Sequence, residues 1–265
     1  MDTPRQEWER IRYDEDDGLA VVTLDRPEKR NALDALTLRE LAIAFAAAEA
    51  APDVGAVLLR GAGKDFCAGA DLAMLERVAE GAGVLENLDD ADALGSLFVR
   101  MRRCPKPIIA AVHGHAIAGG AGLATAADLI VASENAVFGY PEVQLGFVPA
   151  MVMALLRRSV GEKVAFELIM TGVEFDAREA HRLGLVNRVL DEGGFDEHSR
   201  SHAREIAARP ASAVRLIKRL FYGMDGLSFE EAVARGAEVN VLARNTPETR
   251  EGVRRFLEKQ HGATA

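Results

Sequence analysis

The chain has 265 residues, 49% hydrophobic and 28% charged, with a formal net charge of −9. That length can bury a substantial core, as one large domain or one domain plus an appendage, and the composition excludes a disordered or fibrous chain. The acidic balance argues against a general nucleic-acid binder, and any anionic ligand would need a local basic patch working against the global field.

The N-terminus, residues 1–18, is polar and acidic without an apolar run, so no signal peptide is expected. The most apolar stretch, residues 107–132, is broken by His113, His115, Asp128 and several glycines, which argues against a membrane span. Cys67 and Cys104 form no CxxC pair and are expected as small buried hydrophobes in a reduced, cytoplasmic compartment.

Leu19–Leu24 predicts a strand, followed by a turn at Arg26-Pro27. Asn31 is expected to cap a helix with Asp34 in its first turn and an apolar stripe of Leu38, Leu41 and Phe45. Arg26, Lys29 and Arg30 in this turn form a basic patch, which reads equally as a solvated loop. Val54–Leu59 predicts a second strand ending in a glycine-rich turn at 61–63. Residues 76–95 are acidic, Gly/Ala-rich and weakly periodic, a pattern for a mobile flap or a plain surface excursion. Pro107–Val112 and Leu129–Ala132 predict short buried strands flanking a helix over 119–127, and Val186–Leu190 adds another strand. Beyond Met151 helices dominate. Asp176 with Glu179 predicts a capping box, with Phe175 and Ala180 as its staple, and Ser228 with Glu231 predicts a second box. Pro247 opens a helix behind Thr246, and Val214, Ile217 and Phe221 give another helix its apolar stripe. The expected organisation is a β/α core over residues 1–200 and a helical region over 201–265.

Several nucleotide and catalytic patterns fail on inspection. Gly61 and Gly63 follow a strand as GxG, but Phe66 occupies the third glycine place of a dinucleotide fingerprint. Gly114 and Gly119 have P-loop spacing, yet Gly120 stands where the lysine is required. There is no GxSxG elbow and no HExxH helix. His113 and His115 show a metal-like spacing and are read as supporting a turn, so no metal is expected.

Two segments carry more information. Phe66–Leu72 (FCAGADL) and Gly114–Ala124 (GHAIAGGAGLA) each follow an apolar β-type run, and the second opens a helix. Both are suited to aim backbone N–H groups at a developing negative charge, as an oxyanion hole does. A carboxylate, Glu142, follows in Tyr140–Gly146 (YPEVQLG) and reads as a general base or, more plainly, as a residue starting a turn. Asp128 at the end of the helix reads as structural, and Cys67 as packing.

Together with residues 24–33 (LDRPEKRNAL), 111–129, 138–146 and 171–189, these segments resemble the crotonase, or enoyl-CoA hydratase/isomerase, superfamily from about Leu19 to Lys259. The resemblance implies an α/β fold, a spiral of ββα repeats, with C-terminal helices that mediate trimers and often a hexamer of stacked trimers. It implies an acyl-CoA thioester substrate of the kind met in fatty acid metabolism, with coenzyme A as part of the substrate and no other cofactor. By position Ala70 and Gly119 would donate the two N–H groups to the thioester oxygen. Arg26, Lys29, Arg30 and Ala32 would face the nucleotide end of CoA. Ala68, Asp71 and Leu72 would contact its adenine and pantetheine, and Phe256 and Lys259 would come from a neighbouring subunit. No nucleic acid or membrane partner is implied.

Hydratases of the family use two glutamates. Glu142, behind Pro141, matches one, whereas Gly122 stands at the other. A single glutamate suffices to move a double bond between the β,γ and α,β positions, the isomerase reaction. Hydration, the lyase-type reaction, needs water activation and proton delivery to the α carbon, which one glutamate could manage through the same water. Decarboxylating or hydrolysing members, which vary residues around Gly122, Phe147 and Met151, and a non-catalytic acyl-CoA-binding member of the fold are also compatible.

Overall fold

The computed structural model describes residues 7–262; residues 1–6, where the polar N-terminus begins, and 263–265 lie outside it. The chain divides into two compact units after Ala207. The expected boundary at 200 falls inside a helix, Phe195–Ala207, and the division follows that helix's end.

In the first unit the strands are β1 Ile11–Asp16, β2 Leu19–Leu24, β3 Ala56–Gly61, β4 Ile108–Val112, β5 His115–Ile117, β6 Leu129–Ser133, β7 Val137–Gly139, β8 Glu174–Asp176 and β9 Arg188–Leu190. The helices are α1 Ala35–Ala50, α2 Leu72–Ala79, α3 Val84–Arg103, α4 Gly119–Ala126, α5 Ala150–Ser159, α6 Glu162–Thr171, α7 Ala177–Arg182 and α8 Phe195–Ala207. Six strands form one sheet in the order β1-β2-β3-β4-β6-β9. Only β1 runs antiparallel to its neighbour, pairing Ile11 with Leu24. β2 and β4 are buried along their whole length, as the continuous apolar runs of a parallel sheet covered on both faces must be. On one face Leu19, Val21, Leu58 and Ile109 pack under Ala203 and Ile206 of α8. On the other, Val22, Leu59 and Ala110 meet Leu41 and Phe45 of α1 and Phe98 and Met101 of α3. Strands β5, β7 and β8 form a second, three-stranded sheet, with β5 parallel to β7.

Three local expectations are corrected. The cap of α1 is Asp34, whose side chain accepts from Thr37 N at 2.7 Å, and not Asn31. Asn31 has φ 56° and is buried. Its Oδ1 accepts from Arg26 N, while its Nδ2 donates to the carbonyls of Ala62 and Asp65. The side chain is spent on pinning the 26–33 turn to the next loop. Residues 76–95, read as weakly periodic, belong largely to α2 and α3; full burial on α3 is confined to Leu97, Phe98 and Met101, with Leu94 partly buried against the core. The Asp176–Glu179 box is half made: Asp176 accepts from Glu179 N, but the Glu179 carboxylate pairs with Arg182.

The second unit is helical: α9 Ala211–Gly223, α10 Phe229–Arg244 and α11 Pro247–Gly262. The Ser228–Glu231 capping box at α10 is complete. Ile217 and Phe221 of the predicted stripe are exposed, as are Phe229, Val233 and Phe256. Among the described residues no helix is long and apolar enough to cross a membrane. Both cysteines are buried and neither forms a disulfide.

Candidate active site

The two donor segments lie side by side. Phe66 N donates to His113 O at 2.9 Å, Cys67 N to His115 O at 3.0 Å, and Ile117 N back to Cys67 O at 3.0 Å. Gly69, at φ 93°, carries the first segment past the second. A Cβ there would stand 2.9 Å from Ile117 O and 3.5 Å from Gly119 N, and a side chain would be strained at that φ in any case.

Neither the Ala70 nor the Gly119 amide is taken by a backbone or side-chain acceptor among the described residues. For Ala70 the reason is its bridge to Leu33: Leu33 N donates to Gly69 O and Asp71 N donates to Leu33 O, which leaves the intervening amide turned away. Gly119 is the first residue of α4, where amides have no intrahelical acceptor. Ala118 before it sits at φ 51°, ψ −122°, a strained conformation for a residue with a Cβ, held by its N–H bond to Gly139 O at 2.8 Å. Leu33 and Leu94 lie over Gly119.

Gly139 also leads into Tyr140, Pro141 and Glu142. Tyr140 is wholly buried, and its hydroxyl is 2.9 Å from Thr125 Oγ1 of α4, tying this run to the donor helix. Pro141 starts a 3-10 turn, Pro141–Leu145, with Glu142 in its first turn. Oε2 of Glu142 is buried with no hydrogen-bond partner. Desolvation raises the carboxyl above its ordinary value, against a smaller opposing bond from its own backbone. An unsatisfied buried carboxylate oxygen costs free energy unless a partner from outside the chain completes it.

Gly122 is buried on α4 with its Cα facing Val152 and Phe98; a Cβ would come 2.6 Å from Val152 Cγ2 and 3.0 Å from Phe98 Cζ. No carboxylate stands there, and apolar side chains occupy the space. Asp128 is structural as expected, accepting from Ile108 N at 2.6 Å. His113 and His115 bind the Gly63 carbonyl and the Asp65 carboxylate respectively, and no metal-ligating cluster exists among the described residues.

The basic turn differs from its sequence reading. Arg26 is largely buried and engaged on every side: Nη2 binds Asp71 Oδ2 at 2.8 Å, and Nη1 reaches Asp34 Oδ2 at 3.1 Å and Ala32 O at 2.8 Å. Asp71 also caps α2 through Ala73 N at 3.0 Å. Arg26 and Asp71 therefore brace the loop through each other and their neighbours. Lys29 is exposed, Arg30 is half-exposed and paired with Asp65, and Ala32 is buried. Ala68 N donates to Arg30 O at 3.0 Å, and Leu72 is exposed at the start of α2. Phe256 and Lys259 are exposed on α11. Replacing Arg26 with methionine would strip Asp71 of its ion partner, while Asp34 would keep Arg10 at 3.0 Å. The expected loss is about 3 kcal/mol, read as a lower urea midpoint at pH 7.

The six-stranded, mostly parallel sheet with helices on both faces defines an α/β fold, whose crossover segments carry the unengaged Ala70 and Gly119 amides and the buried Glu142 oxygen. The sequence profile of the Enoyl-CoA hydratase/isomerase family matches residues 14–263, and the chain belongs to that family. It is 46% identical to a Thermus thermophilus protein provisionally named enoyl-CoA hydratase, covering 91% of this chain and 95% of the relative. It is 35% identical to the short-chain-enoyl-CoA hydratase of Clostridium acetobutylicum, covering 91% and 92%. The crystal structure of an enoyl-CoA hydratase from Mycobacterium smegmatis superposes with a TM-score of 0.90 at 34% identity, covering 95% of this chain and 97% of that one. The fold is thus the crotonase-type α/β fold the sequence resemblance implied.

Proposed function

We propose that this chain hydrates enoyl-CoA thioesters through an enolate held by the Ala70 and Gly119 amides, with Glu142 as the only carboxylate moving protons. The observation that carries this reading is the pairing of two unengaged amides with a buried, unpartnered Glu142 oxygen. Glu142 takes a proton from water as the water oxygen bonds to the β carbon, and the electron pair moves onto the thioester oxygen. The enolate then collapses as the same carboxyl returns the proton to the α carbon. Backbone donors pre-set for that oxygen are worth roughly 3–4 kcal/mol each at the transition state. The hydratase names of the relatives support the choice of reaction.

A second reading, migration of a double bond, is favoured by Gly122, because one carboxylate can remove a proton from one carbon and return it to another. Lys29 and Arg30 are the cations of the turn that remain at the surface for CoA phosphates. The exposed apolar residues of α9–α11, with Phe256 and Lys259, suit association with further copies of this chain as a trimer or a pair of trimers.

NMR of crotonyl-CoA and 3-hexenoyl-CoA with the enzyme in D2O tests both readings. Deuterium at C2 with a new C3 hydroxyl on crotonyl-CoA is expected for hydration. Conversion of only 3-hexenoyl-CoA would select bond migration, and saturable binding with no exchange at C2 would reject both.

A further inference from the structure

Asp65 has no role in the chemistry above, yet it lies where the site's parts meet. It is 8% exposed and immediately precedes the first donor segment. Its Oδ1 accepts from His115 N at 2.9 Å and stands 2.6 Å from His115 Nδ1, so both contacts reach the second donor segment. Its Oδ2 accepts from Arg30 Nε at 2.8 Å, and its carbonyl accepts from Asn31 Nδ2 at 2.8 Å. The approach is close enough to require glycine opposite. Gly114 has φ +54°, and a Cβ there would stand 2.0 Å from Lys64 O and 3.0 Å from Asp65 Oδ1. Burial works against the charged form of Asp65, but the bonds from Arg30 and His115 outweigh it and hold the carboxyl well below its ordinary range.

We propose that Asp65 and His115 form a clasp that sets the spacing between the Ala70 and Gly119 amides. They are positioning residues for oxyanion stabilisation, an assignment that rests on the enolate reading given above. The two donor segments touch through a short ladder from Phe66 to Ile117, and beyond it they turn to separate partners, Ala68 N to Arg30 O and Leu33 N to Gly69 O on one side and Ala118 N to Gly139 O on the other. The carboxylate joins the two segments at the end of that ladder remote from the amides, through charge-assisted bonds, which are stronger and shorter than neutral ones. Ala70 is fixed on its far side by the Leu33 bridge and Gly119 by the start of α4. Loosening the clasp therefore lets the two amides drift relative to each other without dismantling either segment. Donor geometry must hold to roughly half an ångström to be productive, and an error of about 1 Å can cost on the order of a hundredfold in rate.

The experiment compares the full chain with Asp65→Ala, His115→Ala and the double variant, using hexa-2,4-dienoyl-CoA as the probe. Donors that polarise the thioester carbonyl shift the bound dienoyl absorption to longer wavelength, a signal that does not follow global stability. Each single variant is expected to lose part of that shift and about tenfold in kcat on crotonyl-CoA with KM little changed. The double variant should be no worse than the poorer single one, since the pair acts as one unit. Variants that keep the full shift and kcat while only melting earlier would overturn the clasp. Absence of any shift in the unmodified protein would instead bring down the enolate reading, and the clasp with it. His115 is 40% exposed at its side chain, so His115→Ala carries the comparison even if Asp65→Ala does not fold.

Discussion

Glu142→Gln is expected to lower turnover on the best enoyl-CoA substrate by a hundredfold or more, on the order of 10²–10⁴ for loss of a general base, with CoA-thioester affinity retained. The amide fills the same space and keeps an acceptor and donor in the pocket, so the loss isolates proton transfer from packing. Single-turnover measurement at saturating substrate is the check, with product CoA binding measured alongside. Unchanged turnover would remove Glu142 from the chemistry.

The same substitution carries a signed stability prediction. Burial raises the Glu142 carboxyl above its ordinary value of 4.5, so the folded protein favours the neutral acid. Such a group contributes stability that is fully present below the unfolded value and lost as pH rises through the folded one. Glutamine is neutral throughout. The melting temperature of Glu142→Gln should therefore match the parent near pH 4 and exceed it progressively above that, levelling off once the parent's carboxyl is ionised in the folded protein. In the parent, the acid limb of kcat/KM should fall above pH 4.5, since the free enzyme must lose this proton to act as base. A gain in melting temperature that is constant across pH would assign it to something other than the charge.

What could be read from the chain, and what could not, divides by range. Elements whose signal is local and apolar were legible: β2, β4 and β6 each read as continuous buried runs and form the middle of the parallel sheet. So were the donor segments, because glycine and alanine spacing is itself the constraint. β1 was not, since IRYDED buries only Ile11 fully and owes its conformation to backbone pairing with β2 at the sheet edge. Asn31 and Asp34 are both good caps. The choice between them is made by Ala62 and Asp65, which take Asn31's side chain from more than thirty residues away. The pairing of Arg26 was hidden for the same reason, since its partner Asp71 lies 45 residues on. α3 hides its periodicity because its first half is solvated and only Leu94 and the turns after it meet the core.

Gly122→Glu, which would place a carboxylate where hydratases with two glutamates hold one, is expected to damage the fold before it adds any chemistry. Its Cβ alone would come within 2.6 Å of Val152 Cγ2 and 3.0 Å of Phe98 Cζ, and both neighbours are buried. Overpacking of this kind costs about 1–3 kcal/mol, and enclosing an unpaired carboxylate adds several more. At this chain length 1 kcal/mol moves the midpoint by roughly 2–4 °C, so a drop of about 10 °C or more is expected in thermal melting. Crotonyl-CoA hydration should not rise in the single variant. Val152→Ala opens space on the near side of the new Cβ, and the double variant should regain part of the lost stability. Because α5 carries Val152 and α3 carries Phe98, the missing carboxylate is a property of three helices packed around one glycine and not of residue 122 alone. A single variant as stable as its parent and faster at hydration would show that these helices yield more readily than their packing implies.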